Sequence, residues 1–246
     1  MIATYHEVAP GDSKYIYSLN VSRFAEHLRF VQETQRRSPI QITFDDGHVS
    51  QYEHALPALE ENKIKATFFI TAGWTNRKPG YMNWAMLREL AALGHNVQSH
   101  GWSHALLSSC GSVELNNELH LSKCTLEDGL GQPIEEISMP GGRWSREVIS
   151  ACARNGYTRA YLSDPFFGER TMAGVSVFGR VMIQRGMDAP GLGRLLQAEG
   201  ARWSCERAAY QLKKAARRAL GDRIYHRLWL QLGNSKSRAY FPDESR

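Results

Sequence analysis

Seven short apolar runs recur along the chain, at Ile2 to His6, Ile40 to Phe44, Ala66 to Thr71, Asn96 to His100, Ile134 to Met139, Thr158 to Leu162 and Val175 to Ile183. Each has the length and the β-branched or aromatic content of a strand. Between most of them lie stretches with apolar residues three and four apart, as on one face of a helix. Strands alternating with helices predict parallel βα units, in which the strand ends on one side of the sheet carry the chemistry.

Polar residues at the ends of these runs are placed where such chemistry would sit. Residues 42 to 47 read Ile-Thr-Phe-Asp-Asp-Gly, and residues 99 to 104 read Ser-His-Gly-Trp-Ser-His. Two adjacent carboxylates closing an apolar run cannot both enter a core, because an unpaired buried charge costs several kcal/mol or more. On an ending strand Asp45 and Asp46 project in different directions, so one can ligate a cation while the other stays free for proton transfer. His100 and His104 are four apart, the spacing that puts two imidazoles on one face of a helical turn. An Asp-His-His set leaves coordination positions open, as a catalytic site needs. Either piece alone has an ordinary reading, as an Asp-Gly turn after a strand or an exposed helix face.

The two motifs in this order resemble those of the polysaccharide deacetylases of carbohydrate esterase family 4, the NodB-homology domain. The match covers Thr43 to Gly47 and His100 to His104, with the strand segment Lys65-Ala-Thr-Phe-Phe-Ile70 between them; Gly101 stands where Ser or Thr is commoner. The resemblance implies a distorted (β/α)7-type barrel in a single domain. It further implies that Asp45 is the general base and that Asp46, His100 and His104 hold a divalent metal, most often Zn2+, with Co2+ or Mn2+ as alternatives. The family's third motif is a Pro-containing loop that walls the groove and carries an Arg oriented on the base. Here Ser138-Met139-Pro140-Gly141-Gly142-Arg143-Trp144 stands instead, with Met139 in the place of that Arg. Arg143 is the nearest candidate for its pairing role, and Pro140, Gly141, Arg143 and Trp144 are candidate substrate contacts. Pro-Gly-Gly reads equally as a sharp turn before a helix starting near Ser145.

The family's last motif supplies a His as general acid, and no such late strand His is present. The chain instead opens Met1-Ile-Ala-Thr-Tyr-His6, which is similar to circularly permuted members with a Tyr-His strand at the start. His6 is therefore the candidate acid. The implied reaction is metal-assisted hydrolysis of an N-acetylated amino-sugar glycan, releasing acetate and a free amine. The same fold acting on a non-sugar amide, or a non-catalytic glycan-binding or scaffold protein, are the alternative readings.

Composition refines this picture in two places. The 246 residues, 42% hydrophobic, suffice for one large core, and barrels of this kind commonly take about 200–250 residues. Charge, by contrast, is uneven. Residues 201–246 hold 11 of the 30 Lys and Arg and only 4 of the 25 Asp and Glu, so residues 1–200 are slightly acidic. We expect a catalytic barrel over 1–200 and a basic amphipathic helical tail over 201–246, the latter docked on the barrel or lying on an anionic membrane surface. No reader motif accompanies the charge, so nucleic acid is not an expected partner. Cys110, Cys124, Cys152 and Cys205 lack metal-ligand spacing and read as reduced thiols. With no leader pattern or apolar span, a cytoplasmic protein is expected, either free or peripheral at the inner face of the membrane. Trp74, Tyr81, Trp102, Trp144, Phe166 and Phe167 suit sugar stacking or plain packing. Asp164 and Arg180 could contact sugar hydroxyls or serve as caps and surface charges.

Overall fold

In the computed structural model, which describes residues 1–11, 13–34 and 39–196 together with Ala208 and Leu212, the apolar runs become strands of one sheet. The elements in chain order are β1 (Ile2–Tyr5), β2 (Glu7–Ala9), β3 (Ser18–Asn20), α1 (Val21–Thr34), β4 (Gln41–Phe44), α2 (Leu56–Glu61), β5 (Ala66–Ile70), α3 (Trp84–Ala92) and β6 (Asn96–Ser99). They continue with α4 (Ser112–Leu130), β7 (Glu136–Ser138), α5 (Arg146–Arg154), β8 (Arg159–Leu162), β9 (Arg170–Met172), β10 (Val175–Gly179), β11 (Val181–Met182) and α6 (Ala189–Leu196). The expected boundary near residue 200 and the basic tail, Ala208 and Leu212 apart, lie outside the described residues.

The sheet runs in the order β11-β1-β4-β5-β6-β7-β8-β10-β9 and is parallel except for β9, which pairs antiparallel with β10 at the edge. Its two ends belong to one stretch of chain. β10 pairs with β8 and β11 pairs with β1, and only Arg180 separates β10 from β11. The expected strand Val175 to Ile183 is thus broken at Arg180, and the sheet curls so that this one stretch of chain reaches both of its sides. Counting this broken strand once, seven segments run parallel. Two features were not foreseen: the antiparallel β9 and a small separate sheet in which β2 pairs with β3.

Period-two alternation sorts the strand residues onto two faces. Ala3, Tyr5, Ile42, Phe44 and Phe68 enter the large core under the helices, where Phe44 stacks on Phe68 at 4.8 Å. Ile2, Phe69 and Tyr161 form a smaller cluster with Phe178 on the other face, inside the curl. Burial of each such aromatic side chain is worth about 1.5–3 kcal/mol. The helices follow their apolar spacing: α1 buries Phe24, Leu28 and Val31, and Asn20 caps its start by accepting from the Ser22 amide at 2.9 Å. Ser145 does the same for α5 through Val148 N–H. As a result β1, β4, β6 and β7 all end on one side, immediately before His6, Asp45, His100 and the Pro140 turn.

Candidate active site

Thr43 and Asp45 alternate onto the inside of the curled sheet, where Thr43 Oγ1 lies 2.9 Å from Thr4 Oγ1. Asp45 is buried there. Its carboxylate is met by Arg180, whose Nη1 donates to Oδ1 at 2.8 Å and Nη2 to Oδ2 at 2.7 Å. Ser138, at the end of β7, donates its hydroxyl to Oδ2 at 2.9 Å and accepts from Arg180 Nη2 at 2.7 Å. Burial alone would raise the Asp45 pKa; the charges of Arg180 and His100 and the Arg180 hydrogen bond outweigh it and hold the carboxyl below its ordinary value. The guanidinium also lies over the rings of Phe69 and Tyr161, at 5.4 and 5.8 Å. Beside it, Gly179 lets the 164–167 backbone pack closely on the end of β10, since a Cβ there would stand 2.3 Å from the carbonyl oxygens of Asp164 and Phe167.

Asp46 points elsewhere because its backbone is left-handed, with φ 75°, a strained conformation for a non-glycine residue and one that clusters at functional sites. Its Oδ1 stands 3.2 Å from His100 Nε2 and 3.3 Å from His104 Nε2. His100 Nδ1 donates to the Ser138 carbonyl at 2.9 Å, which leaves the Nε2 lone pair facing Asp46. Asp46 Oδ1 is buried without a hydrogen-bond partner. Converging lone pairs repel one another, and a cation resolves the repulsion. Two ligand atoms bound tetrahedrally to zinc at about 2.0–2.2 Å lie ~3.3 Å apart, which matches the spacing here. Burial disfavours positive charge at His100, yet the carboxylates of Asp45 and Asp46 outweigh it, so the local field favours a cation. The residues present therefore fit a divalent metal. His100 and His104 do not lie on a helical turn, as their spacing predicts; the segment between them is an irregular loop with Gly101 and His104 left-handed, at φ 76° and 67°.

His6 lies just past β1, the neighbour of β4, and its ring stacks on Tyr17 at 4.9 Å. It is buried, and Nδ1 has no hydrogen-bond partner. Burial lowers its pKa, opposed in part by the charges of Asp46 and Asp45, within whose field the ring sits. Gln51, in a π-helical turn before α2, donates to the carbonyl oxygens of both His6 and Asp45 at 2.6 Å. Such turns recur at functional sites, and this one ties the ends of β1 and β4 together.

The pairing role expected of Arg143 is filled by Arg180. The same residue is not the cap or surface charge its position suggests, because a guanidinium with no access to water needs a buried carboxylate. The signal was a single Arg inside the apolar run Val175 to Ile183. Ser138 was likewise missed as a partner of both Asp45 and His100. Pro140 to Gly142 form a tight 3-10 turn with Gly141 and Gly142 left-handed, and Trp144 packs edge-on against Phe167 at 5.5 Å.

Comparison with known proteins places this geometry. The sequence model of the polysaccharide deacetylase family matches residues 32–160. YxkH of Bacillus subtilis (strain 168) is 24% identical over 216 residues, covering 80% of this chain and 76% of the relative. A chitooligosaccharide deacetylase of Sinorhizobium fredii (strain NBRC 101917 / NGR234) is 27% identical over 144 residues, 57% of this chain and 65% of the relative, so that match spans just under two thirds of its length. The solved structure of the Streptococcus pyogenes deacetylase PplD in complex with acetate superposes with a TM-score of 0.68 at 21% identity, covering 79% of this chain and 96% of that one, and shows a shared fold. The matched span 32–160 holds Asp45, Asp46, His100 and His104, while His6 and Arg180 reach the site from outside it.

Proposed function

This chain belongs to the polysaccharide deacetylase family, and on that premise we propose that it is a metal-dependent hydrolase removing N-acetyl groups from an amino-sugar glycan or glycan intermediate. One observation carries the reading. Neighbouring carboxylates do different work: Asp46 faces two imidazole lone pairs, while Asp45 is held ionised by Arg180 and Ser138.

In this reading Asp46, His100 and His104 hold the cation, and one carboxylate with two imidazoles suits zinc, with cobalt or manganese as alternatives. When bound, such an ion polarises the acetyl carbonyl, lowers the pKa of water and stabilises developing negative charge. Asp45 accepts the proton of the attacking water. Arg180 keeps that carboxylate charged and Ser138 keeps it oriented, so the base is ready without reorganising. His6, whose Nδ1 has no partner within the protein, donates a proton to the departing amine. The turn at Pro140 and Gly141, with Arg143 and Trp144, forms one wall of the substrate groove. The Arg missing before Pro140, which favoured a non-catalytic scaffold, has its counterpart in Arg180.

Acetate release from N-acetylglucosamine oligomers, measured beside a set of small non-sugar amides, tests the reading. Release from the oligomers is expected. Turnover of the small amides alone would replace the glycan with another amide, and no turnover with a filled metal site would leave a glycan-binding role.

A further inference from the structure

The loop between His100 and His104 must place two Nε2 atoms on one carboxylate oxygen, yet it has no regular secondary structure to do so. Gly101 and His104 are both left-handed, and the amides between them, which make no helical hydrogen bonds, need partners. Gly101 N–H donates to Ser99 Oγ at 3.1 Å. Trp102 N–H and Ser103 N–H both donate to Glu118 Oε2, at 3.0 and 2.9 Å, and the Ser103 hydroxyl donates to Glu118 Oε1 at 2.6 Å. The carbonyls of Gly101 and Trp102 accept from Ala72 and Gly73 N–H at 3.1 and 2.8 Å.

Glu118 projects from α4 and is 7% exposed. Among the described residues no Lys or Arg pairs with it. A buried carboxylate normally has a cationic partner; here three hydrogen bonds from one loop take that place, and hydrogen bonds to an ionised acceptor are the strong kind.

We propose that Glu118 is the positioning residue of the metal centre: it fixes the 101–103 backbone and thereby the convergence of His100 and His104 on Asp46. This rests on those three residues being metal ligands. Removing it takes away the shared acceptor of two loop amides and the Ser103 hydroxyl, and the loop then relaxes away from the shape that aims both rings. A glutamine can keep that shape, its carbonyl oxygen accepting the two amides while its amide group donates to Ser103 Oγ.

The test is zinc affinity by chelator competition, with the visible spectrum of the cobalt-loaded protein, for wild type, Glu118→Ala, Glu118→Gln and Ser103→Ala. Glu118→Ala should bind zinc about 10- to 100-fold more weakly, the range for partners that orient metal ligands, and its cobalt bands should change. Glu118→Gln should stay close to wild type in both readouts. Wild-type affinity in Glu118→Ala, or a Glu118→Gln as weak as the alanine variant, would overturn the role of Glu118 alone. A wild type that binds neither metal would overturn the metal site, and this role with it. If Glu118→Ala does not fold, Ser103→Ala decides: a fall of about 2- to 10-fold, the worth of one hydrogen bond, supports the proposal and unchanged affinity overturns it.

Discussion

Arg180 grips both carboxylate oxygens of Asp45, at 2.8 and 2.7 Å, across 135 residues of sequence. Arg180 is also the break between β10, which pairs with β8, and β11, which pairs with β1 on the other side of the sheet. The break that sends the chain from β10 to β11 therefore also supplies Asp45 with its counter-charge. Replacing Arg180 with methionine strands a buried carboxylate, and the expected loss is about 3–5 kcal/mol in urea denaturation. A loss within error of zero would mean that the pair does not form.

The same residue sets the pH dependence. Arg180 helps hold Asp45 below its ordinary value of 3.8 against burial, which acts to raise it. As the proposed base, Asp45 works ionised, so activity is expected to fall as pH drops through its pKa. In Arg180→Met burial is no longer opposed by the guanidinium, and the acidic limb of kcat/KM should move to higher pH. The stability contributed by a depressed carboxylate is present above its unfolded pKa and lost as pH falls through the folded one, so the variant should also lack this acid-sensitive part of the wild-type stability. An acidic limb that does not move would argue against Asp45 as the base.

His6→Gln should lower kcat by roughly 10²- to 10⁴-fold, the usual contribution of a positioned proton donor, with zinc content unchanged. A turnover near wild type would assign the acid role to another group.

Gly179→Ala tests the packing of the 164–167 backbone against the end of β10. The added methyl would meet two backbone carbonyl oxygens at 2.3 Å, neither of which can rotate away. We expect about 1–3 kcal/mol of destabilisation, as for other overpacked sites, seen as a lower Tm; an unchanged Tm would show that this strand end is free to shift.

The contrast between Arg180 and Asp46 shows what sequence could disclose. Asp45, Asp46, His100 and His104 sit in two local motifs at the ends of apolar runs, so spacing together with the family resemblance pointed to them. Alternation likewise predicted seven parallel segments with their functional residues on one side. Arg180 belongs to no motif; its meaning depends on which two strands it joins, and the nearer Arg143 was the candidate instead. The helical turn expected over His100 to His104 failed for a different reason. Spacing of four is compatible with a helix, but left-handed Gly101 and His104, held by Glu118 and Ser99, make a loop in which the same two rings converge. Ser138 was hidden because its part is played by a hydroxyl and a carbonyl at the end of β7, a role open to many sequences.

Acetate release from N-acetylglucosamine oligomers, followed through chelation and re-addition of zinc in wild type and Asp45→Asn, tests the central claim most directly. The account predicts that chelation abolishes release and zinc restores it in wild type, while Asp45→Asn binds zinc but releases little acetate. Release that survives complete removal of metal, or an Asp45→Asn variant as active as wild type, would contradict it.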